Sequence, residues 1–339
     1  MTSKPAIIPF HPEAIKVDRL DLHTYAATLS ETFAIGTVPN GGYVSSCILQ
    51  AATVHLASRG QTDPLTCHFE FLNRTEVGPV VIVIEDIKLG RQLSTLHATL
   101  YQGSLLPQAP WISPASSRKA IVAYFTMTDL RKEKGISLPT GFSLQAPAPP
   151  PPPTAGFGAL ENGTDPFWVV MKPATGTSFN RALDNIVYHV PRRGQTTKSV
   201  VDVWVKLACG ENFSNASLGY VADCWPYVIE SYRPKTREQM VRDKVPFAPD
   251  TVFWYPTVVM NLELKKSLAD GGKRWLRMRV LAKEIKNGRL DLEVLIFDAE
   301  GELVALSQHV NLILGAERNT AGRTGGEGAT GQKKGESKI

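Results

Sequence analysis

Asn40-Gly41-Gly42-Tyr43, running on through Val44 to His55, is the stretch that decides the fold. Val44, Ile48, Ala51, Ala52 and His55 recur at helical spacing, which predicts an amphipathic helix. Asn40 is suited to cap its first amides, and the paired glycines allow another backbone to come close. Alternating strands follow, among them Cys67-His68-Phe69-Glu70-Phe71 and Val80 to Ile87, with a turn at Gly90-Arg91. The same plan returns later: a helix over Leu218 to Trp225, strands Thr257 to Leu264 and Trp275 to Ile285, and a turn at Gly288-Arg289. One helix laid across a meander of strands, made twice, leaves a seam between the copies, and a ligand cleft is expected there.

The 339 residues suit two fused domains. Boundaries are expected at 1–131 for the first, 132–165 for a Pro-rich linker, 166–315 for the second and 316–339 for a disordered tail. Ala146 to Pro153 is nearly all proline; it holds an extended form, cannot join a sheet, and reads as a spacer or a Pro-x-x-P ligand. Asn185 to Val190 and Val200 to Leu207 read as strands, Arg233 to Asp250 as a charged insertion, and Pro226 as the bend or end of the second helix.

Net charge is +5, which suits a polyanionic small molecule, and no Lys/Arg block interleaved with aromatics points to nucleic acid. Cys47, Cys67, Cys209 and Cys224 are scattered without Cys-x-x-Cys spacing, so they read as reduced thiols and no metal site is expected. No apolar run is long enough for a membrane span, and the N-terminus lacks the pattern of a secretory signal. Ser337-Lys338-Ile339 differs from the Ser-Lys-Leu peroxisomal address by one residue, leaving a peroxisomal or a cytoplasmic location open.

Gly-x-Ser-x-Gly and Gly-x-Gly-x-x-Gly after a strand are both absent, which argues against a nucleophile-elbow hydrolase and a dinucleotide fold. Asp63 and His68 have the spacing of a hydratase dyad, but Asp63-Pro64 reads as a turn. Asp223 lies inside an apolar helix, where a carboxylate needs partners unless it points to solvent. Thr257 opens a strand directly after Trp254-Tyr255-Pro256. Alternation along Leu303 to Leu312 puts Ser307, His309 and Asn311 on one face and Gln308 on the other.

Pro39-Asn40-Gly41-Gly42-Tyr43, His68-Phe69-Glu70-Phe71-Leu72, Val221-Ala222-Asp223, Tyr255-Pro256-Thr257 and Leu303-Val304-Ala305-Leu306-Ser307 together resemble the TesB-like acyl-CoA thioesterases, in their fungal thioesterase-like branch. No single motif is specific; order and spacing carry the resemblance over roughly residues 20 to 314. It implies an α+β double hotdog, and hydrolysis of an acyl-CoA or related thioester by an Asp, Thr, Gln set that activates water. By position, Asp223 and Thr257 match, while His309 stands where the family carries Gln and is a candidate to hold the water or act as a base in its place. Gln308 is one residue off and would serve only if the strand bulged. Amides of Gly41, Gly42 and Tyr43 are candidate oxyanion donors, or the glycines exist for close packing. Arg91, His68 and Lys88 are candidate contacts for coenzyme phosphates or the seam. No cofactor is implied, and a homo-oligomer is the family expectation. The other readings are a pathway-specific enzyme of fungal specialised metabolism and a degenerate hotdog that binds an acyl thioester without turnover.

Overall fold

The computed structural model describes residues 6–153, 156–171, 179–268 and 271–320. The N-terminal half contains β1 (Thr24–Leu29), α1 (Gly41–His55), β2 (Asp63–Phe71), β3 (Gly78–Leu89), β4 (Ser94–Gln102) and β5 (Arg118–Thr128). The C-terminal half contains β6 (Ile186–Pro191), β7 (Val200–Leu207), α2 (Leu218–Asp223), β8 (Thr257–Leu264), β9 (Leu276–Leu281), β10 (Arg289–Phe297) and β11 (Leu303–Leu312). Among the described residues, fourteen strands, three of them short, join one antiparallel sheet; its long strands run in the order β1-β3-β4-β5-β2-β8-β11-β10-β9-β7-β6. Read outward from the β2–β8 pair, the two halves repeat one order, each ending on strands that precede its helix. The chain is an α+β double hotdog.

The join is a register of paired residues: Phe69 opposite Met260, His68 opposite Asn261, Cys67 opposite Leu262. Cys67, Phe69, Met260 and Leu262 are buried on the helix side, so period two sends His68 and Asn261 to the outer face. Both helices and the inner face of the whole sheet share one continuous core, which includes Tyr43, Ile48, Phe69, Val221, Met260 and Val304. The two halves therefore bury their helices together.

Asn40 caps α1 through its Oδ1, which accepts from the Tyr43 amide at 2.9 Å. The helices cross at glycines. A Cβ on Gly42 would lie 2.4 Å from the Gly219 carbonyl oxygen, and one on Gly219 would lie 3.1 Å from the Ser46 amide nitrogen. Close approach is thus a structural use of Gly42. The α2 helix is shorter than the sequence reading: it ends at Asp223, and a 3-10 turn over Tyr227–Tyr232 takes over beyond Pro226, which cannot supply an amide.

The Pro-rich stretch is a strap rather than a free spacer. Trp168 Nε1 donates to the Pro151 carbonyl at 2.8 Å, and Arg279 Nη1 to that of Gln145 at 3.0 Å. It lies over the outer face of the second half, where Asp202 and Arg279 are paired at 2.7 Å. The C-terminal boundary also differs from the reading. Glu317–Thr320 is a helical turn, and buried Asn319 accepts from the Thr37 amide at 3.0 Å and donates to the Ile35 carbonyl at 2.7 Å. Those bonds dock residues placed in the expected tail onto the N-terminal half. The remainder of that tail, with Ser337-Lys338-Ile339, lies outside the described residues. Among the described residues no helix is long and apolar enough to cross a membrane.

Candidate active site

Asp223, at the end of α2, is 5 % exposed and meets groups from both halves. Its Oδ2 accepts from the Gly42 amide at 2.8 Å and from Asn40 Nδ2 at 3.2 Å. Its Oδ1 accepts from the Thr257 hydroxyl at 2.7 Å and lies 3.5 Å from His309 Nδ1. Thr257 in turn accepts from Asn311 Nδ2 at 2.8 Å. A buried carboxylate is tolerable only with such a set of donors, and the crossing of the helices supplies it.

The β11 strand places Ser307, His309 and Asn311 inward, all buried, and leaves Gln308 on the exposed outer face. Pairing runs without a break from Leu264 opposite Ala305 to Val259 opposite Val310, so no bulge in β11 brings Gln308 to Asp223. Ser307 has one hydroxyl hydrogen, and the Asn261 carbonyl 2.6 Å away can only accept it. His309 Nε2, 2.8 Å from Ser307 Oγ, is therefore the donor to that hydroxyl oxygen, and Nδ1 is the nitrogen turned toward Asp223. Two buried polar atoms here have no hydrogen-bond partner, His309 Nδ1 and Asn311 Oδ1.

A cleft of about 620 Å³ opens beside this cluster, with Asn40, Gly41, Asp223 and Thr257 on its polar side. Phe71, Ile121, Trp254, Tyr255, Val258 and Leu312 form its apolar side. His309 does not line it; the ring is buried behind the carboxylate. Of the three amides at the start of α1, Gly42 is spent on Asp223 and Tyr43 on Asn40. The Gly41 amide has no acceptor among the described residues, and Gly41 lines the cleft. Tyr43 itself is in the core, its hydroxyl donating to the Ala14 carbonyl at 2.7 Å.

The other expected contacts are elsewhere. His68 is on the outer face, bonded to Asn261 and Glu70 at 2.7 and 3.1 Å, and shares a shallow groove there with Gln308. Arg91 and Lys88 are exposed near the β3–β4 turn, at the opposite end of the sheet strands from Phe71. Period two already forces His68 outward once Cys67 and Phe69 face in. The cations that line the cleft are Arg74 and Arg318; Arg74 Nη1 donates to the Arg318 carbonyl at 2.6 Å, and its guanidinium sits 5.9 Å from the Trp254 ring centre. Nothing in their local spacing singled them out. Burial pushes the neighbouring Cys224 thiol up to about 12 and raises the Tyr227 and Tyr255 hydroxyls as well, so these stay protonated near neutral pH.

Comparison with known proteins agrees with this architecture. Residues 29–128 match the acyl-CoA thioesterase N-terminal domain and residues 146–313 the acyl-CoA thioesterase C-terminal domain. The chain belongs to the acyl-CoA thioesterase family, whose general chemistry is thioester hydrolysis. It is 45 % identical over 336 residues to the thioesterase-like protein TwmA of Talaromyces wortmannii, covering 94 % of this chain and 96 % of that one. Among solved structures, a hot dog fold protein of unknown function from Alicyclobacillus acidocaldarius superposes with a TM-score of 0.64 at 15 % identity, over 89 % of this chain and 96 % of that one. The acyl-CoA thioesterase II TesB2 of Mycobacterium marinum does so with a TM-score of 0.53 at 16 % identity, over 89 % and 97 %. At those identities the likeness is one of fold.

Proposed function

We propose that the chain hydrolyses an acyl-CoA, or a related acyl thioester, by direct attack of a water activated by Asp223. The observation that carries this is a buried carboxylate, hydrogen-bonded by Thr257 and facing an apolar cleft at the seam. In the proposed step a water in the cleft gives a proton to Asp223 Oδ1 while its oxygen attacks the thioester carbonyl carbon. The Gly41 amide receives the developing oxyanion, since the first amides of a helix have no partner within it. Collapse of the tetrahedral intermediate breaks the C–S bond, and the proton held on Asp223 passes to the departing thiolate. The acid and the thiol are released.

Thr257 donates to Asp223 while accepting from Asn311, so the chain of bonds holds the carboxylate in one orientation. His309 acts through Asp223 from behind and is a positioning residue in this scheme; its place is where the family carries Gln. Apolar side chains take the acyl group, and Arg74 with Arg318 suits the phosphates of the coenzyme at the cleft wall. A second cleft of about 330 Å³ shares Ile35, Pro226, Trp254 and Tyr255 with the first and is bounded by Glu230 and Arg233.

The test is free-thiol release from short-, medium- and long-chain acyl-CoAs by purified protein beside Asp223→Ala. Turnover that collapses in the variant is expected. Stabilisation by coenzyme A with no turnover of any thioester would select the binding module instead.

A further inference from the structure

A second polar cluster lies at the far end of α1, away from the cleft. His55 closes the helix, His23 immediately precedes β1, and Asp86 stands on β3. One ligand atom from each of the three lies within 4.8 Å of the others. We propose that His23, His55 and Asp86 form a binding site for a divalent transition metal, with zinc as the best match.

The argument rests on how the rings are held. His23 Nδ1 is 3.1 Å from the Ile84 carbonyl, which can only accept, so the hydrogen is on Nδ1 and Nε2 keeps its lone pair. The Ile84 amide donates back to the His23 carbonyl at 2.8 Å, which fixes the residue against β3. His55 has its Nδ1 3.0 Å from the hydroxyl of buried Tyr25 and its Nε2 2.8 Å from Asp86 Oδ1. A tyrosine hydroxyl donates or accepts, so it can support the ring with the proton on either nitrogen. Metal-bound imidazoles are commonly held in this way, the far nitrogen tied to a carbonyl or another oxygen. His23 thus keeps Nε2 free to bind, His55 turns Nε2 to the Asp86 carboxylate, and the two ring centres are 5.3 Å apart.

Two imidazoles and a carboxylate are a ligand set that zinc accepts, with water completing a tetrahedron. Zinc–nitrogen bonds of about 2.0–2.1 Å place neighbouring ligand atoms about 3.4 Å apart, so closure needs shifts of roughly an ångström. His23 is exposed and the Asp86 side chain is 26 % exposed, which leaves a route for the ion. A break in the β3–β4 register directly after Asp86, between Asp86 and Lys88, gives the strand local room to turn that carboxylate. On binding, the His55 proton is carried by Nδ1, with the Tyr25 hydroxyl as its acceptor, and the Nε2–Asp86 bond is replaced by one bond from each to the metal. The ion would then tie the end of α1 to an edge of the sheet.

Titration of the full chain with zinc chloride, read by calorimetry and by thermal unfolding, tests the site. One zinc per chain and a raised unfolding temperature are expected. His23→Ala and Asp86→Asn should each weaken binding at least about tenfold, and Tyr25→Phe by about ten- to a hundredfold. Thiol release should be unchanged in His23→Ala. The proposal is overturned by the absence of saturable zinc binding, or by binding that neither His23→Ala nor Asp86→Asn weakens.

Discussion

Ser46 and Asp223 hold corresponding places at the crossing of the two helices. Each lies four residues after the glycine that touches the other helix, Gly42 for Ser46 and Gly219 for Asp223. Each accepts an amide from across the seam: Ser46 Oγ from Tyr220 at 2.9 Å, Asp223 Oδ2 from Gly42 at 2.8 Å. The strands behind them differ more. Behind Asp223, β11 presents Ser307, His309 and Asn311, whereas the corresponding strand β5 presents Ile121, Ala123, Phe125 and Met127. One crossing keeps a carboxylate with the donors it requires; the other keeps a hydroxyl against an apolar wall. A pseudo-symmetric fold can thus support a charge on one side only, because a buried carboxylate is stable only where several groups solvate it together.

Making the two crossings alike should have the largest effect. Asp223→Ser is expected to lower kcat by about 10²- to 10⁴-fold in thiol-release assays, the range for loss of a positioned general base. The glycines should separate next. Gly42→Ala is expected to destabilise by about 1–3 kcal/mol in chemical denaturation, since its Cβ would meet the Gly219 carbonyl and the Asp223 Cβ at 2.4 and 2.5 Å. Gly219→Ala, with contacts of 3.1–3.2 Å, should change stability by no more than about 1 kcal/mol, the strain being offset by better helix propensity. An equal loss in both would mean the crossing is not where the backbones are closest.

His309→Ala should reduce kcat about tenfold with KM little changed, as expected if loss of the ring packed 3.5 Å behind Asp223 Oδ1 lets the carboxylate shift. His309→Gln should recover most of that loss, and failure to do so would remove the correspondence with the family position. Ser46→Ala should have the smallest effect on turnover, within about twofold, while costing about 1–3 kcal/mol of stability through the orphaned Tyr220 amide.

Periodicity made much of this legible. Helical spacing after Asn40-Gly41-Gly42 located α1, and period two put His309 and Asn311 together with Gln308 on the other face. A carboxylate in Val221-Ala222-Asp223 announced a need for partners, and the sheet met it. What stayed hidden depends on which strand ends converge. Arg74 follows β2 and Arg318 follows β11, and only the β2–β8–β11 register brings them to one cleft, whereas Arg91 and Lys88 fall at the other end. The spending of the Gly42 amide on Asp223 was hidden too, because it follows from the crossing of two helices 181 positions apart. Ala146 to Pro153 read as a spacer because its composition says nothing of Arg277 and Trp168, which bind the carbonyls of Pro150 and Pro151.

The central claim is that Asp223 activates water for direct attack. A single turnover in ¹⁸O-labelled water, followed by mass analysis of the released acid and of the peptide carrying Asp223, tests it most directly. The account predicts one labelled oxygen in the acid and none in Asp223. Label in the Asp223 carboxylate would reveal a covalent acyl-enzyme and contradict it, as would a protein that releases no acid from any acyl thioester.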